Sequence, residues 1–366
     1  MTSGPLAGIR IVEIDAIGPV PLAAMIMADM GADIVRIGRR PPPGKPVWDD
    51  VGGAVLYRSR SHVALDLKDP VDRDALLDLI DRADGLIEGF RPGVMERLGL
   101  GPDVCLARNP KLVFGRMTGW GQTGPMSTRA GHDINYLSLT GALHAIGDQG
   151  APPTVPLNLV GDYGGGTMFL VTGMLAGFLS AQRTGAGQVV DVAITDGVGT
   201  LLSLFHSWLS TGVWSDKPAS NLLDGGAPFY RCYACADGGH VAVGCLEPQF
   251  FAVMVAGLGL QDRGYDQADQ ADRAGWPAMQ ADFTATFAAR PRDAWAAHFA
   301  ATDACVTPVL SLTEAIDHPQ ASERESFAVR DGVPQATPAP RFSATPAQIG
   351  DGGEAVLADV VARWTR

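Results

Sequence analysis

Between residues 9 and 120 the chain alternates short apolar runs with helical ones, and this alternation constrains its fold more than any other feature. "IRIVEI" (9–14), "ADIVRI" (32–37), "VALDL" (63–67), "GLIEGF" (85–90) and "KLVFGRMTGW" (111–120) read as strands. Between them lie the apolar helix "LAAMIMADMG" and "DPVDRDALLDLIDRAD" (69–84), an amphipathic helix with Leu76, Leu77, Leu79 and Ile80 inward. Strand–helix alternation at this spacing implies βαβ units and a parallel sheet. The expected fold class is α/β, with a Rossmann-like large domain.

The texture changes near residue 190. "TDGVGTLLSLFHSWLSTGVW" reads as one long helix leaving the first domain, and "FYRCYACADGGHVAVGCLE" reads as strand, DGG turn, strand. Helical sequence follows over 249–300, with a polar loop near 260–272. "VPQATPAPRFSATPAQ" (333–348) carries four prolines and reads as a linker or surface loop. A chain of 366 residues exceeds the size at which one core stops growing. The expected organisation is a large domain over 1–190, a linker helix over 191–225, a smaller α+β domain over 226–320, and a return to the large domain over 321–366.

Composition narrows the partners. The net charge of −12 and pI near 4.9 argue against nucleic acid, without excluding a small anion held by local basic residues. No signal peptide opens the chain and no uncharged apolar stretch reaches about 18 residues, so no membrane span is expected. The nearest candidate, "TMFLVTGMLAGFLSAQ", is Gly-interrupted and reads as a buried helix. Five cysteines make no disulfide framework, and reduced thiols in a cytoplasmic protein are the simpler reading.

Two motif matches fail on context. "GWGQTGP" (119–125) fits G-x-G-x-x-G, yet it runs into Pro125 and a polar loop rather than opening a helix. The second strand ends in Arg36, Arg39 and Arg40, an anion-binding end rather than the acid that holds a nicotinamide ribose. Cys232, Cys235, His240 and Cys245 have zinc-like spacing. In a strand, however, Cys232 and Cys235 point to opposite faces, so the expectation is small apolar cysteines in a hairpin and no metal.

Two stretches remain. In "LNLVGDYGGGTMFL" (157–170), Asp162 precedes three glycines and an apolar helix. It reads as an N-cap, but three glycines weaken a helix start and admit a ligand close to exposed backbone N–H groups. In "AGHDINYLSL" (130–139), His132 and Asp133 open a helix. Asp133 suits the first turn by charge, and consecutive helical residues do not face one another, so it is a poor partner for His132.

"PLAGIRIVEI", "GADIVRI", "EGFRPGVMERLGL", "MTGWGQTGP", "AGHDINY", "NLVGDYGGG", "DGGAPFY", "VAVGCLEPQF", "DACVTPVL" and "APRFS" together resemble the α-methylacyl-CoA racemases of the family III CoA-transferase (CaiB/BaiF-like) superfamily. The resemblance runs nearly end to end. It implies the family III CoA-transferase fold and a 1,1-proton transfer at C2 of a 2-methylacyl-CoA. One group removes the α-proton, an enolate forms, and a second group returns a proton to the opposite face. By similarity these groups are His132 for the S-substrate and Asp162 for the R-substrate. The backbone N–H of Asp162 is the implied oxyanion donor, Glu247 the acid that hydrogen-bonds the histidine, and Asn158 a supporting partner. A histidine suits either role near neutrality, and the aspartate needs a raised pKa to donate.

The resemblance also places coenzyme A, which is part of the substrate, so that no separate cofactor is implied. Its adenosine phosphates would meet Arg39 and the stretch Leu65, Asp66, Leu67, Lys68. Gly89, Phe90, Arg91 and Arg97 would border the same groove, with Gly131, Asp133, Ile134, Asn135 and Tyr136 on the pantetheine side. At "IGPVPLAAM", Leu22 stands where the family more often has histidine. The family implies an interlocked homodimer in which Glu247 could reach His132 from the other subunit. The alternative on the same fold is a family III CoA-transferase that uses Asp162 as a nucleophile. That reaction needs no base at position 132, so His132 favours the racemase.

Overall fold

The structure, a computed structural model, describes residues 3–39 and 53–365; Arg40 lies outside them. The chain divides into two compact units, one of residues 1–140, 156–203 and 325–366, the other of residues 141–155 and 204–324.

The first unit is built on a seven-stranded sheet. Its strands are β1 (Arg10–Ile14), β2 (Asp33–Gly38), β3 (Ser61–Ala64), β4 (Gly85–Glu88), β5 (Val113–Thr118) and β6 (Gln188–Ala193), joined at one edge by β12 (Gly353–Glu354). Every pairing is parallel, and the order is β12-β3-β2-β1-β4-β5-β6. Consecutive strands step outward from β1 to β3, then resume on the other side of β1 with β4. The loops after β1 and β4 therefore part there and open a crevice at the carboxyl ends of the strands, where ligands of such sheets bind. The helix Pro70–Ile80 is capped by the Asp69 side chain on Val71 N–H, and it buries Leu76, Leu77, Leu79 and Ile80 as its periodicity demands.

The C-terminal segment completes this unit. Strands β10 (Phe327–Arg330) and β11 (Val333–Ala336) form a hairpin, so the proline-rich stretch expected to be a loop begins as a strand. Pro334 is tolerated because the hairpin is an isolated two-stranded sheet with open edges. The helix Leu357–Trp364 is tied down by the Trp364 indole N–H on Asp33 Oδ2 at 2.8 Å.

In the second unit β7 (Tyr230–Ala234) and β8 (His240–Gly244) form the expected hairpin, turning through Gly238 at φ 80°. A third strand, β9 (Val306–Pro308), pairs antiparallel with β8. With three residues and a proline, it carries no periodicity from which to be read. Phe229, Phe251, Phe283, Phe287 and Trp295 build the core against one face of this sheet. Tyr233, Cys235, Val241 and Val243 are buried on that face, while Cys232 is exposed. All five cysteines are free thiols.

The observed boundaries differ from the expected ones in three places. β6 runs to Ala193 because it pairs residue by residue with β5, so the first unit extends past 190. The expected long helix is two helices, Ile194–Leu201 in the first unit and Ser203–Ser210 in the second. Residues 141–155 belong to the second unit: Gly141, at φ 84°, separates the helix Asp133–Thr140 from a short helix, Ala142–Ala145. The helix Met168–Thr184 follows directly on a π-helix, Leu159–Thr167. Together they span 26 residues, long and apolar enough by length and composition to cross a membrane. Leu170, Val171, Met174 and Phe178 are buried in the first unit, which is the pattern of a core helix.

Candidate active site

Asp162 and His132 come from two elements packed together in the first unit, the π-helix and the helix Asp133–Thr140. Asp162 does not cap a helix, as its sequence context suggested; it sits in the middle of the π-helix. Such wide turns are uncommon and cluster at functional sites. Leu157, immediately upstream, is held at φ 57°, a strained conformation for a non-glycine residue.

The glycines explain the geometry. A Cβ on Gly165 would lie 2.9 Å from Ile194 O and 3.0 Å from Val198 N, and one on Gly197 would lie 1.9 Å from Gly165 O. These glycines let the π-helix rest on the backbone of the helix Ile194–Leu201. Gly166 packs between Pro19 and Ile194, and Thr167 Oγ1 donates to Pro19 O at 2.8 Å. Within the triple glycine, Gly165 thus serves backbone-to-backbone packing, a role that the sequence did not show.

That packing brings Asp162 to the crevice at the end of β1. Gly18, in the turn after β1, has φ 79°, and a Cβ there would lie 3.3 Å from Asp162 Oδ2. Sequence reasoning missed Gly18; its signal was its place in the first strand-to-helix turn. Burial pushes the Asp162 carboxyl up and the Asp133 charge adds to the rise. A hydrogen bond from Asn158 and the charge of His132 oppose it, leaving a pKa of about 6.

His132 is exposed just ahead of its helix. Its N–H donates to Asn135 Oδ1 at 3.1 Å, and its carbonyl accepts from the N–H of Asn135 and Tyr136. Asp133 points the other way and is 8% exposed. Its Oδ1 accepts the Asp162 N–H at 2.6 Å, so the backbone donor that the resemblance implied for an oxyanion is already engaged. The Tyr136 hydroxyl donates to Gly131 O, and burial lifts that phenol to about 12. Its ring meets Trp120 edge-on at 4.8 Å. Tyr136 therefore spends its hydroxyl and Asp133 its Oδ1 on the protein, while Ile134 and Asn135 stay exposed.

The other expected binding residues gather at the carboxyl ends of the strands. Arg39 follows β2, Lys68 follows β3, and Arg91 and Arg97 follow β4; all four are exposed. Leu65 and Leu67 instead pack into the hydrophobic core, and Asp66 accepts the Lys68 N–H in a turn. Arg36, expected to help form a free anion site, is stacked on Tyr57 at 3.7 Å and faces Asp15 at 3.8 Å. Gly89–Arg91 is braced by Glu88, which accepts the Phe90 N–H at 2.6 Å and is held by Arg116 at 2.9 Å. Arg91 also acts electrostatically on Tyr136, which links the strand-end cations to the His132 helix. Glu247 lies in the second unit, exposed at the start of the helix Pro248–Gly257, and its carboxylate makes no capping bond to that helix.

Known proteins agree with this architecture. The sequence profile of CoA-transferase family III matches residues 6–352. The chain is 42% identical to the α-methylacyl-CoA racemase of Mus musculus and 41% identical to that of Homo sapiens. Each match spans 93% of this chain and 87% of the relative. A CaiB/BaiF family protein from Brucella suis superposes with a TM-score of 0.82 at 23% identity, over 99% of this chain and all of that one. Rv3272 of Mycobacterium tuberculosis follows at 0.77 over 97% of this chain and 98% of its own. The chain belongs to the family III CoA-transferases, the family that includes those racemases.

Proposed function

We propose that this protein interconverts the (R)- and (S)-forms of 2-methylacyl-CoA thioesters by proton transfer through an enolate. The observation that carries this reading is the pairing of His132 with an Asp162 carboxyl whose pKa is lifted to about 6. Two groups that each exchange a proton near neutrality are what inversion at C2 requires. His132 takes the proton of the S-substrate and Asp162 that of the R-substrate, with Asn158 steadying the aspartate. Identity of 41–42% to named racemases supports the same chemistry.

The oxyanion finds its donor at the start of the His132 helix. The Asp162 N–H is taken, whereas the first-turn N–H of Asp133 has no carbonyl partner in its own helix. Arg39, Lys68, Arg91 and Arg97 serve the CoA phosphates, and exposed Ile17 and Leu159 offer apolar surface to the acyl chain. CoA enters as part of the substrate and no further cofactor takes part. Glu247, unused in capping its helix, orients His132; in a homodimer it is supplied by the second chain. The free thiols fit a reducing, cytoplasmic setting.

Incubation of either stereoisomer in D2O tests the reading. Epimerisation with deuterium appearing at C2 is expected. CoA transfer to an added free acid, with no deuterium incorporated, would replace it with the transferase reaction.

A further inference from the structure

Asp133 follows the histidine in sequence, yet its carboxylate serves the other half of the site. Oδ1 accepts the N–H of Asp162 at 2.6 Å, and the backbone N–H of Gly161 also acts on this carboxylate. A Cβ on Gly161 would stand 2.3 Å from Oδ1, so only glycine allows this approach. Oδ2 is buried and, among the described residues, has no hydrogen-bond partner. A buried carboxylate oxygen left unpaired is costly, and the charge of this carboxylate, anchored at the Asp162 N–H, acts on the Asp162 carboxyl.

The groups facing Asp162 are few. The helix Asp133–Thr140 presents Asp133 and Tyr136, with His132 at its head, and Asn158 precedes the π-helix. The turn at Gly18–Pro19 contributes no charge, and the helix Ile194–Leu201 meets the π-helix through Ile194 and Val198. Asp196 of that helix is exposed and acts on Asp191 instead. Asp133 is thus the one acidic side chain whose charge acts on the Asp162 carboxyl among the described residues.

We propose that Asp133 is a positioning residue for the acid–base group Asp162: Oδ1 fixes the Gly161–Asp162 turn, and the unpaired Oδ2 holds a negative charge against the Asp162 carboxyl. The inference rests on the racemase reading. It assigns the "HD" pair two separate duties, the histidine to the substrate and the aspartate to the opposing acid. Removing the charge while keeping the shape should make Asp162 release its proton at lower pH.

The test is the pH profile of C2 deuterium incorporation into the R-substrate, whose proton Asp162 takes, for wild type and Asp133→Asn. The acid limb of kcat/KM is expected to move about half a pH unit or more toward acid in the variant, with kcat reduced and KM within about twofold. An acid limb identical to wild type would overturn the proposal. Should the variant fail to fold, carboxyl-13C aspartate NMR of the wild-type protein decides, with Asp162 assigned through Asp162→Asn. Titration near 6 with a second inflection where Asp133 titrates upholds it, and titration in the ordinary carboxylate range overturns it. No deuterium incorporation by wild type would defeat the racemase reading, while the NMR titration would still judge Asp133.

Discussion

Two stretches of this chain carry clusters of reactive side chains, and the fold uses them oppositely. "GHDINY" and "GDYGGG" are separate in sequence, yet packing brings the Asp133 carboxylate to 2.6 Å from the Asp162 N–H, with His132 near enough for its charge to act on Asp162. "CYACADGGHVAVGC" holds three cysteines and a histidine within a short span, and its hairpin disperses them. Cys235 and Cys245 are buried, whereas Cys232 and His240 are exposed. Strand alternation decides the second case, because residues an odd number apart leave on opposite faces. Helix packing decides the first, because Gly161 lets the Asp133 carboxylate approach the backbone of the π-helix. Closeness in sequence is a poor guide to a site unless the element that carries the residues is known.

The comparison breaks most sharply at the proposed bases. His132→Ala and Asp162→Ala should each reduce epimerisation by about 10³-fold, within the range of a lost general acid–base group, while CoA-ester binding persists. Full activity in either variant would return the pair to the status of the cysteine cluster. The pH dependence comes next. Below the Asp162 pKa of about 6 the aspartate holds a proton and cannot take that of the R-substrate, so activity toward the R-substrate should fall about tenfold per pH unit as pH drops. An acid limb in the ordinary carboxylate range would remove the case for a raised aspartate.

A third measurement probes the packing that builds the site. Gly165→Ala adds a Cβ at 2.9 Å from a backbone carbonyl and should cost about 2–3 kcal/mol, read as a lowered Tm. A wild-type Tm would mean the π-helix does not rest on Ile194 and Val198 as described. The smallest effect belongs to the hairpin. A modest excess of Zn2+ should shift Tm by less than about 1 °C, since Cys232 and Cys235 cannot converge on one ion. Stoichiometric zinc in the purified protein would contradict the opposite-face arrangement.

Much of this was legible in the residues. The helix Pro70–Ile80 follows its apolar spacing, and the five early strands occur where their apolar runs lie, with ends shifted by a few residues. Position 132 before a helix and a carboxylate at 162 stood out as candidates without any coordinates. The role of Gly164–Gly166 was not legible, since a glycine run is equally compatible with a ligand, a turn or a close helix crossing. Neither was β9, too short to show a period, nor β12, whose two residues gain strand geometry only from their pairing with β3. Leu65 and Leu67 show the same limit. The family resemblance placed them at a ligand, and the core claimed their side chains.

Local preferences, namely apolar period, helix caps and side-chain alternation, are properties of short segments, and the sequence by itself determined them here. It therefore specified a parallel α/β unit and a hairpin that disperses its cysteines, and it singled out His132 and Asp162 as candidates. Which atom faces which depends on backbones distant in sequence coming within van der Waals reach. Only the tertiary structure could decide that Gly165 lies on Ile194, that Gly18 abuts Asp162, and that the carboxylate beside His132 belongs to the aspartate opposite it.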